Sequence, residues 1–404
     1  MALFFAEGWL LSKLLPFHQR ADKEELLSRR QAPLDGLRGI LSLSVFFAHA
    51  ASYYYFEQTK IWDFPPSNFY SQMAVFPVSM FFFITAYLFW SKLIQKPSFP
   101  VWRFWLGRFG RLEPVYIAVC SLVFLWVALL SGFHRQVSVR NLSIQILSFL
   151  TFWGPKDIDG ITNWKLWLGA SWSLRYEWLF YFSLPFLGWF AKRRRTTVLL
   201  VGIAFLLVPA LARLESYRHL GGLTRLLESY AHFFAYTFSA GILIAILPKD
   251  RLSALARGVP ATLLSLIAIG LTLFFVPASY GLLESLCLAL PFACICMGNT
   301  WFGLLSSRSL RFLGRISYSF YLLHVLGLFF VLMIAQKRGI LLGATPFSYW
   351  AIVAGSGMLT IFLCAFSYQF LEAPFLHMGR RQVQTRGVPY EHDASVRPLP
   401  LSQE

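Results

Sequence analysis

Leu34-Asp35-Gly36-Leu37-Arg38-Gly39-Ile40-Leu41-Ser42-Leu43-Ser44-Val45-Phe46-Phe47-Ala48-His49-Ala50-Ala51-Ser52-Tyr53-Tyr54-Tyr55 places an arginine and a histidine inside an otherwise apolar run. The run is about 20 residues long, enough to cross a hydrocarbon layer about 30 Å thick as a helix. Nine comparable runs follow, at roughly residues 72–91, 114–132, 171–190, 196–212, 231–247, 259–276, 282–304, 316–336 and 349–371. A backbone in lipid must satisfy its own hydrogen bonds, so runs of this length are read as helices. The sequence therefore predicts an all-α polytopic membrane protein with about ten transmembrane helices.

Composition agrees. Of 404 residues, 57% are hydrophobic and 14% are charged, against about a quarter charged in soluble domains. That excludes a disordered chain, a small disulfide scaffold and an ordinary cytosolic enzyme. The net charge of +17 resembles a nucleic-acid signal only until the basic residues are located. They lie in short clusters between the apolar runs, too membrane-tied to form a nucleic-acid module. With the N-terminus in the cytosol, the inside segments carry more than twice the Lys and Arg of the outside ones. The positive-inside rule then fixes the orientation, and an even number of spans puts both termini in the cytosol.

Residues 1–33 form a cytosolic N-terminal segment. It has no basic n-region and no small-residue cleavage site, so it is not a cleavable signal peptide. Leu3 to Leu15 is expected to lie on the membrane surface as a helix. The polar stretch 377–404, with Pro389, Pro398 and Pro400, is expected to be a disordered cytosolic tail. The short apolar run Leu142–Trp153 suits an interfacial or re-entrant helix. Asn141-Leu142-Ser143 is a glycosylation sequon in an outside loop. Cys120, Cys287, Cys294, Cys296 and Cys364 sit in apolar stretches without metal-ligand spacing, and read as small core hydrophobes. No metal is expected.

A charge in the bilayer core costs about 2.5–3.5 kcal/mol on insertion scales, so each one is a functional candidate. Arg38 and His49 are separated by about three helical turns, some 16 Å, and differ by only about 20° around the helix. One face thus carries a fixed cation at the cytosolic mouth and a titratable imidazole past the bilayer centre. That suits a long anionic molecule threaded lengthwise, with the shape of an acyl-coenzyme A. The plainer alternative is a membrane anchor at Arg38 and a packed core histidine at His49. In the fourth span, Glu177 is expected at the depth of His49, where it could orient the imidazole as a general base; it could equally pair with Arg175. Arg103, Arg108 and Arg111, interleaved with Trp102, Phe104, Trp105 and Phe109, are either a solvated inside loop or a phosphate clamp. Trp172, Ser173, Tyr318 and His324 are candidates to line the same cavity, with a packed hydrogen-bonding role as the alternative for His324. There is no phosphate-binding Gly-rich loop, no zinc motif and no Gly-X-Ser-X-Gly elbow.

Five ordered motifs carry a resemblance across residues 33–376. They are Leu34-Asp35-Gly36-Leu37-Arg38-Gly39 with His49; Arg108-Phe109-Gly110-Arg111 before Pro114-Val115-Tyr116; Ser171-Trp172-Ser173-Leu174 with Glu177-Trp178; Gly314-Arg315-Ile316-Ser317-Tyr318 through His324; and Tyr368-Gln369-Phe370-Leu371-Glu372-Ala373-Pro374. In these the chain resembles the acyltransferase-3 family of integral membrane O-acyltransferases. The resemblance implies that 34–376 is a transmembrane acyltransferase domain. It implies transfer of an acyl group, most often acetyl, from cytosolic acyl-CoA to a hydroxyl of a small-molecule metabolite or a carbohydrate. Acyl-CoA would be a donor substrate, and no cofactor would be permanently bound. Arg38 with His49 and Arg108 with Arg111 would be two essential pairs. On this reading His49, Glu177 and Arg38 are catalytic: His49, oriented by Glu177, acts as general base or accepts the acyl group itself before passing it on, and Arg38, Arg108 and Arg111 hold the donor. The chain departs from the family at Phe82-Phe83-Ile84-Thr85-Ala86-Tyr87, where a Ser-Gly pair is usual. No fused esterase-like domain is expected after the last span. A transporter or flippase is the competing class, but it often shows repeated halves, and no internal repeat is visible.

Overall fold

The structure is a computed structural model that describes residues 1–15, 32–95, 100–154, 157–162, 169–213, 222–341, 343 and 345–374. The expected tail at 377–404 lies outside the described residues. Among the described residues the fold is helical, without strands. In chain order the α-helices are α1 (Ala2–Leu14), α2 (Ala32–Thr59), α3 (Asn68–Gln95), α4 (Val101–Leu130), α5 (Val139–Leu150), α6 (Trp172–Ala191) and α7 (Arg194–Arg213). They continue with α8 (Gly222–Phe233), α9 (Ser239–Ala245), α10 (Lys249–Ala256), α11 (Val259–Phe275), α12 (Leu282–Cys296), α13 (Arg308–Arg315), α14 (Ser317–Lys337) and α15 (Pro346–Ser367). A π-turn at Phe234–Phe238 joins α8 to α9, and another at Tyr368–Glu372 extends α15.

Each of the ten apolar runs falls on helix. Four segments are long and apolar enough to cross a membrane outright: Asn68–Gln95, Val101–Leu130, Ser317–Lys337 and Pro346–Glu372. A fifth arises if the pair Leu226–Ala245 and Lys249–Ala256, bent by 103°, counts as one span. Two further apolar helices, α11 and α12, are shorter. The chain is thus a multi-pass membrane protein. The run expected to reach residue 304 stops at Cys296, because Gly298 takes a positive φ of 99° and Asn299 turns back to bond the Ala256 carbonyl and Thr262. Helix α2 falls outside the four because serines, Arg38 and His49 dilute its apolar character.

Helix α3 is the central one, with 83% of its apolar window buried, against 39% for the last span. The buried apolar residues form two main cores. One gathers α1, α2, α4, α13, α14 and α15; the other gathers α3, α6, α9 and α12. Ile40, Phe81 and Tyr318 pack against both, and the candidate site lies along this seam.

Three glycines set the approach of α2 to α13 and the turn before it. A Cβ on Gly36 would sit 1.8 Å from the Leu305 carbonyl oxygen, one on Gly39 would sit 2.6 Å from the Leu310 oxygen, and one on Gly314 would sit 1.8 Å from the Asp35 oxygen. These are backbone atoms that cannot swing aside, so α2 touches α13, and the short turn Leu304–Ser306 ahead of it, backbone to backbone, as small residues allow in membranes. Arg38 follows Gly36 by two residues, so this contact also aims the arginine. Gly36→Ala is expected to cost at least the roughly 1–3 kcal/mol of an overpacked core. It should lower the thermal midpoint of the purified protein; an unchanged midpoint would mean that the helices can separate freely here. The small residue missing from Phe82–Tyr87 is supplied from the facing helix: a Cβ on Gly241 would lie 2.3 Å from the Phe83 carbonyl oxygen and 2.9 Å from Ala86 Cβ.

Candidate active site

The site has two parts that share a wall. The first is a cavity of about 170 Å³ at the seam between the cores. Its charged lining is Arg38 from α2, Lys92 from α3, Arg108 and Arg111 from α4, and Glu177 from α6. Thr85, Ser173, Tyr181, Tyr318 and Tyr321 add hydroxyls, and Val78, Phe81 and Leu174 add an apolar surface.

The cations differ in what surrounds them. Arg38 Nη1 donates to Asp35 Oδ1 at 3.1 Å, one helical turn back. The Arg108 guanidinium lies 5.0 Å above the centre of the Phe89 ring, and Lys92 Nζ lies 5.1 Å from the same centre. A buried ring shared by two cations restricts both. Arg111 interacts electrostatically with both Arg38 and Arg108. Four cations therefore converge on a wall whose lining holds one carboxylate, Glu177, with Asp35 paired to Arg38 and Glu372 interacting with Arg111 behind it. Like charges gathered away from bulk water repel, and planar guanidinium forks bind phosphate oxygens in pairs. The arrangement is built for an anion bearing more than one charge.

Glu177 belongs to this cavity. Its Oε1 accepts hydrogen bonds from Thr85 Oγ1 at 3.3 Å and from the Tyr181 hydroxyl, and it interacts with Arg108. It makes no hydrogen bond with His49. Arg175, the other partner considered for it, instead donates to the backbone carbonyls of Phe152 and Trp153 at 2.6–2.9 Å. Counting residues from span ends places Glu177 and His49 at one depth, but says nothing of which way each helix is turned.

The second part is a pair of histidines. His49 Nδ1 lies 3.0 Å from the Val45 carbonyl oxygen and 3.2 Å from His324 Nε2. His324 Nδ1 lies 3.0 Å from the Phe320 carbonyl oxygen. His324 is fully buried, while His49 keeps some exposure beneath the stacked ring of Trp62, 6.4 Å away. Neither histidine lines the cavity. The shared wall is Tyr321: its hydroxyl bonds Ser173 Oγ at 2.8 Å and the Ala170 carbonyl at 2.9 Å, and its ring centre is 6.1 Å from that of His324.

The remaining candidates divide. Ser173 and Tyr318 line the cavity, and the Tyr318 hydroxyl donates to the Leu112 carbonyl at 2.7 Å. Trp172 does not; it packs against Tyr176, Phe233 and Tyr280. Its neighbour Ser173 turns inward because adjacent helical residues point about 100° apart. Asn141 is exposed in the first turn of α5. Lys92, Thr85, Tyr181 and Tyr321 were not anticipated as cavity residues, although Lys92 closes an apolar run and Tyr321 lies in the motif before His324. Among the described residues no group of His, Cys, Asp and Glu could hold a metal ion, and the cysteines are free thiols.

A family model described as an acyltransferase domain, acyltransferase 3, matches residues 32–368. Among curated proteins the chain is similar to "Putative peptidoglycan O-acetyltransferase YrhL" of Bacillus subtilis (strain 168), with 26% identity over 394 residues. The match covers 87% of this chain and 56% of the relative, so the chain spans little more than half of that protein's length. No solved structure matches.

Proposed function

The chain belongs to the acyltransferase-3 family, and from that premise we propose that it transfers an acyl group from acyl-coenzyme A to a hydroxyl of a carbohydrate or a small metabolite. The observation that carries the reading is the cavity in which Arg38, Lys92, Arg108 and Arg111 face one another across a single carboxylate. Coenzyme A brings several phosphate charges to such a wall, and its pantetheine arm is narrow enough to extend along an apolar lining. The name of the bacterial relative favours an acetyl group and a sugar acceptor.

In this account the domain spans residues 34–376, crosses the membrane about ten times and has both termini in the cytosol. Arg38, Arg108 and Arg111 hold the phosphates. Tyr318 and Ser173 bound the acyl arm, and Glu177 balances Arg108 and fixes Tyr181. The thioester comes to lie at the Tyr321 end, next to the histidine pair. His49 takes the proton of the acceptor hydroxyl as its oxygen attacks the thioester carbonyl. The carbon–sulfur bond breaks, the ester leaves, and His49 returns the proton to the departing thiolate, which completes the balance.

The direct test is release of free coenzyme A from acetyl-coenzyme A by the purified protein, with and without a methyl glycoside of N-acetylglucosamine. Thiol release that rises with the acceptor, together with an acetylated glycoside in the mass spectrum, is expected. Transport of a solute with no thiol release would instead favour a transporter.

A further inference from the structure

We propose that His324 fixes the tautomer of His49 and aims its Nε2 lone pair, so that a second histidine occupies the place a carboxylate usually holds behind a histidine base. The inference rests on the acyl-transfer role of His49 proposed above.

Three contacts determine the proton positions. A carbonyl oxygen only accepts hydrogen bonds, and a neutral imidazole carries one N–H. His49 Nδ1 is 3.0 Å from the Val45 oxygen, and His324 Nδ1 is 3.0 Å from the Phe320 oxygen. Each ring therefore carries its hydrogen on Nδ1. His324 Nε2 is then a bare lone pair, 3.2 Å from His49 Nδ1, and the His49 hydrogen is shared between it and the Val45 carbonyl. The opposite assignment, with the hydrogen on His324 Nε2, sets a nitrogen lone pair against a carbonyl oxygen on both helices. One assignment satisfies all three contacts, and it leaves His49 Nε2 unprotonated. That is the atom a general base needs.

The surroundings hold the arrangement in place. Both carbonyls lie four residues back on the same helix as their histidine, so α2 and α14 each fix one ring. His324 is closed in by Phe46, Phe320 and Tyr321, with ring centres 6.5, 6.0 and 6.1 Å away. Trp62 stacks on His49 and packs in turn against Tyr53. Among the described residues no carboxylate hydrogen-bonds His49, and the nearest candidate from the sequence, Glu177, is occupied by Thr85 and Tyr181. When Nε2 takes a proton, the His324 lone pair remains on the Nδ1–H and supports the imidazolium. His324 is thus a positioning residue and touches no substrate itself.

The two ends of the His324 ring can be tested apart. His324→Asn keeps an N–H for the Phe320 carbonyl but has no atom where Nε2 was. His324→Gln places an acceptor oxygen near the Nε2 position. In full-length protein, with acetyl-coenzyme A as donor and the methyl glycoside as acceptor, His324→Asn is expected to lower kcat about 10- to 100-fold. The KM for acetyl-coenzyme A should stay within about twofold, and His324→Gln should recover most of the loss. Equal losses in both variants at matched thermal midpoints would reduce His324 to packing and overturn the proposal. A readout independent of activity is the ¹⁵N spectrum of histidine-labelled protein: His49 is expected as the Nδ1–H form, and an Nε2–H form would overturn the assignment. Wild-type turnover in His49→Ala would instead remove His49 from the chemistry, a failure of the base role proposed above that the spectrum would not share.

Discussion

His49→Ala is expected to lose acyl transfer by about 10²–10⁴-fold, the range of general-base assistance, while the protein still folds and binds donor. The imidazole lies beyond the cavity, behind Tyr321 and against His324, and contributes nothing to the phosphate wall. Its removal leaves Arg38, Lys92, Arg108 and Arg111 in place. It does strip His324 Nε2 of its hydrogen-bond partner, so a modest fall in thermal midpoint should accompany the loss. The measurement is thiol release at saturating acetyl-coenzyme A, alongside a donor titration. Wild-type turnover would remove His49 from the chemistry. A parallel collapse of donor affinity would mean that it shapes the cavity instead.

The second large effect is expected at the cationic wall. Arg111→Ala should weaken coenzyme A binding about 10- to 100-fold, the value of one charge-assisted hydrogen bond at about 1.5–3 kcal/mol. Turnover at saturating donor should change far less. Arg111 is chosen because it interacts electrostatically with both Arg38 and Arg108 and so sits at the centre of the cluster. Arg38 is already paired with Asp35, and Arg108 is tied to Phe89 and Glu177. Calorimetric titration of coenzyme A separates the outcomes: affinity unchanged in Arg111→Ala would dissolve the clamp, whereas a loss confined to kcat would move Arg111 into the chemistry.

The helices and the cationic mouth were legible in the sequence for simple reasons. Ten apolar runs name ten helical segments because lipid admits little else, and a guanidinium in such a run must find a polar lining. Arg38, Arg108 and Arg111 line the cavity. What sequence could not supply was rotation about each helix axis. Glu177 and His49 are expected at one depth from their places in the spans, but the carboxylate turns toward Thr85 and Tyr181 while the imidazole turns toward α14. Trp172 and Ser173 are adjacent in the chain, and one packs in an aromatic cluster while the other faces the cavity. The His49–His324 contact joins residues 275 positions apart. Its one trace in the sequence is a second histidine buried in an apolar span, which is costly unless partnered. The close contact of α2 with α13 was equally hidden, since Gly36, Gly39 and Gly314 reveal their purpose only once the facing carbonyls are known.

The whole account stands on a donor threaded from the arginines to the histidine pair. A cryo-electron microscopy structure of the full-length protein with coenzyme A tests this most directly. The phosphates should lie against Arg38, Arg108 and Arg111, with the sulfur at the Tyr321 end of the cavity, closest to His49. Coenzyme A bound elsewhere, or with its sulfur turned toward Lys92 and away from Tyr321, would contradict it.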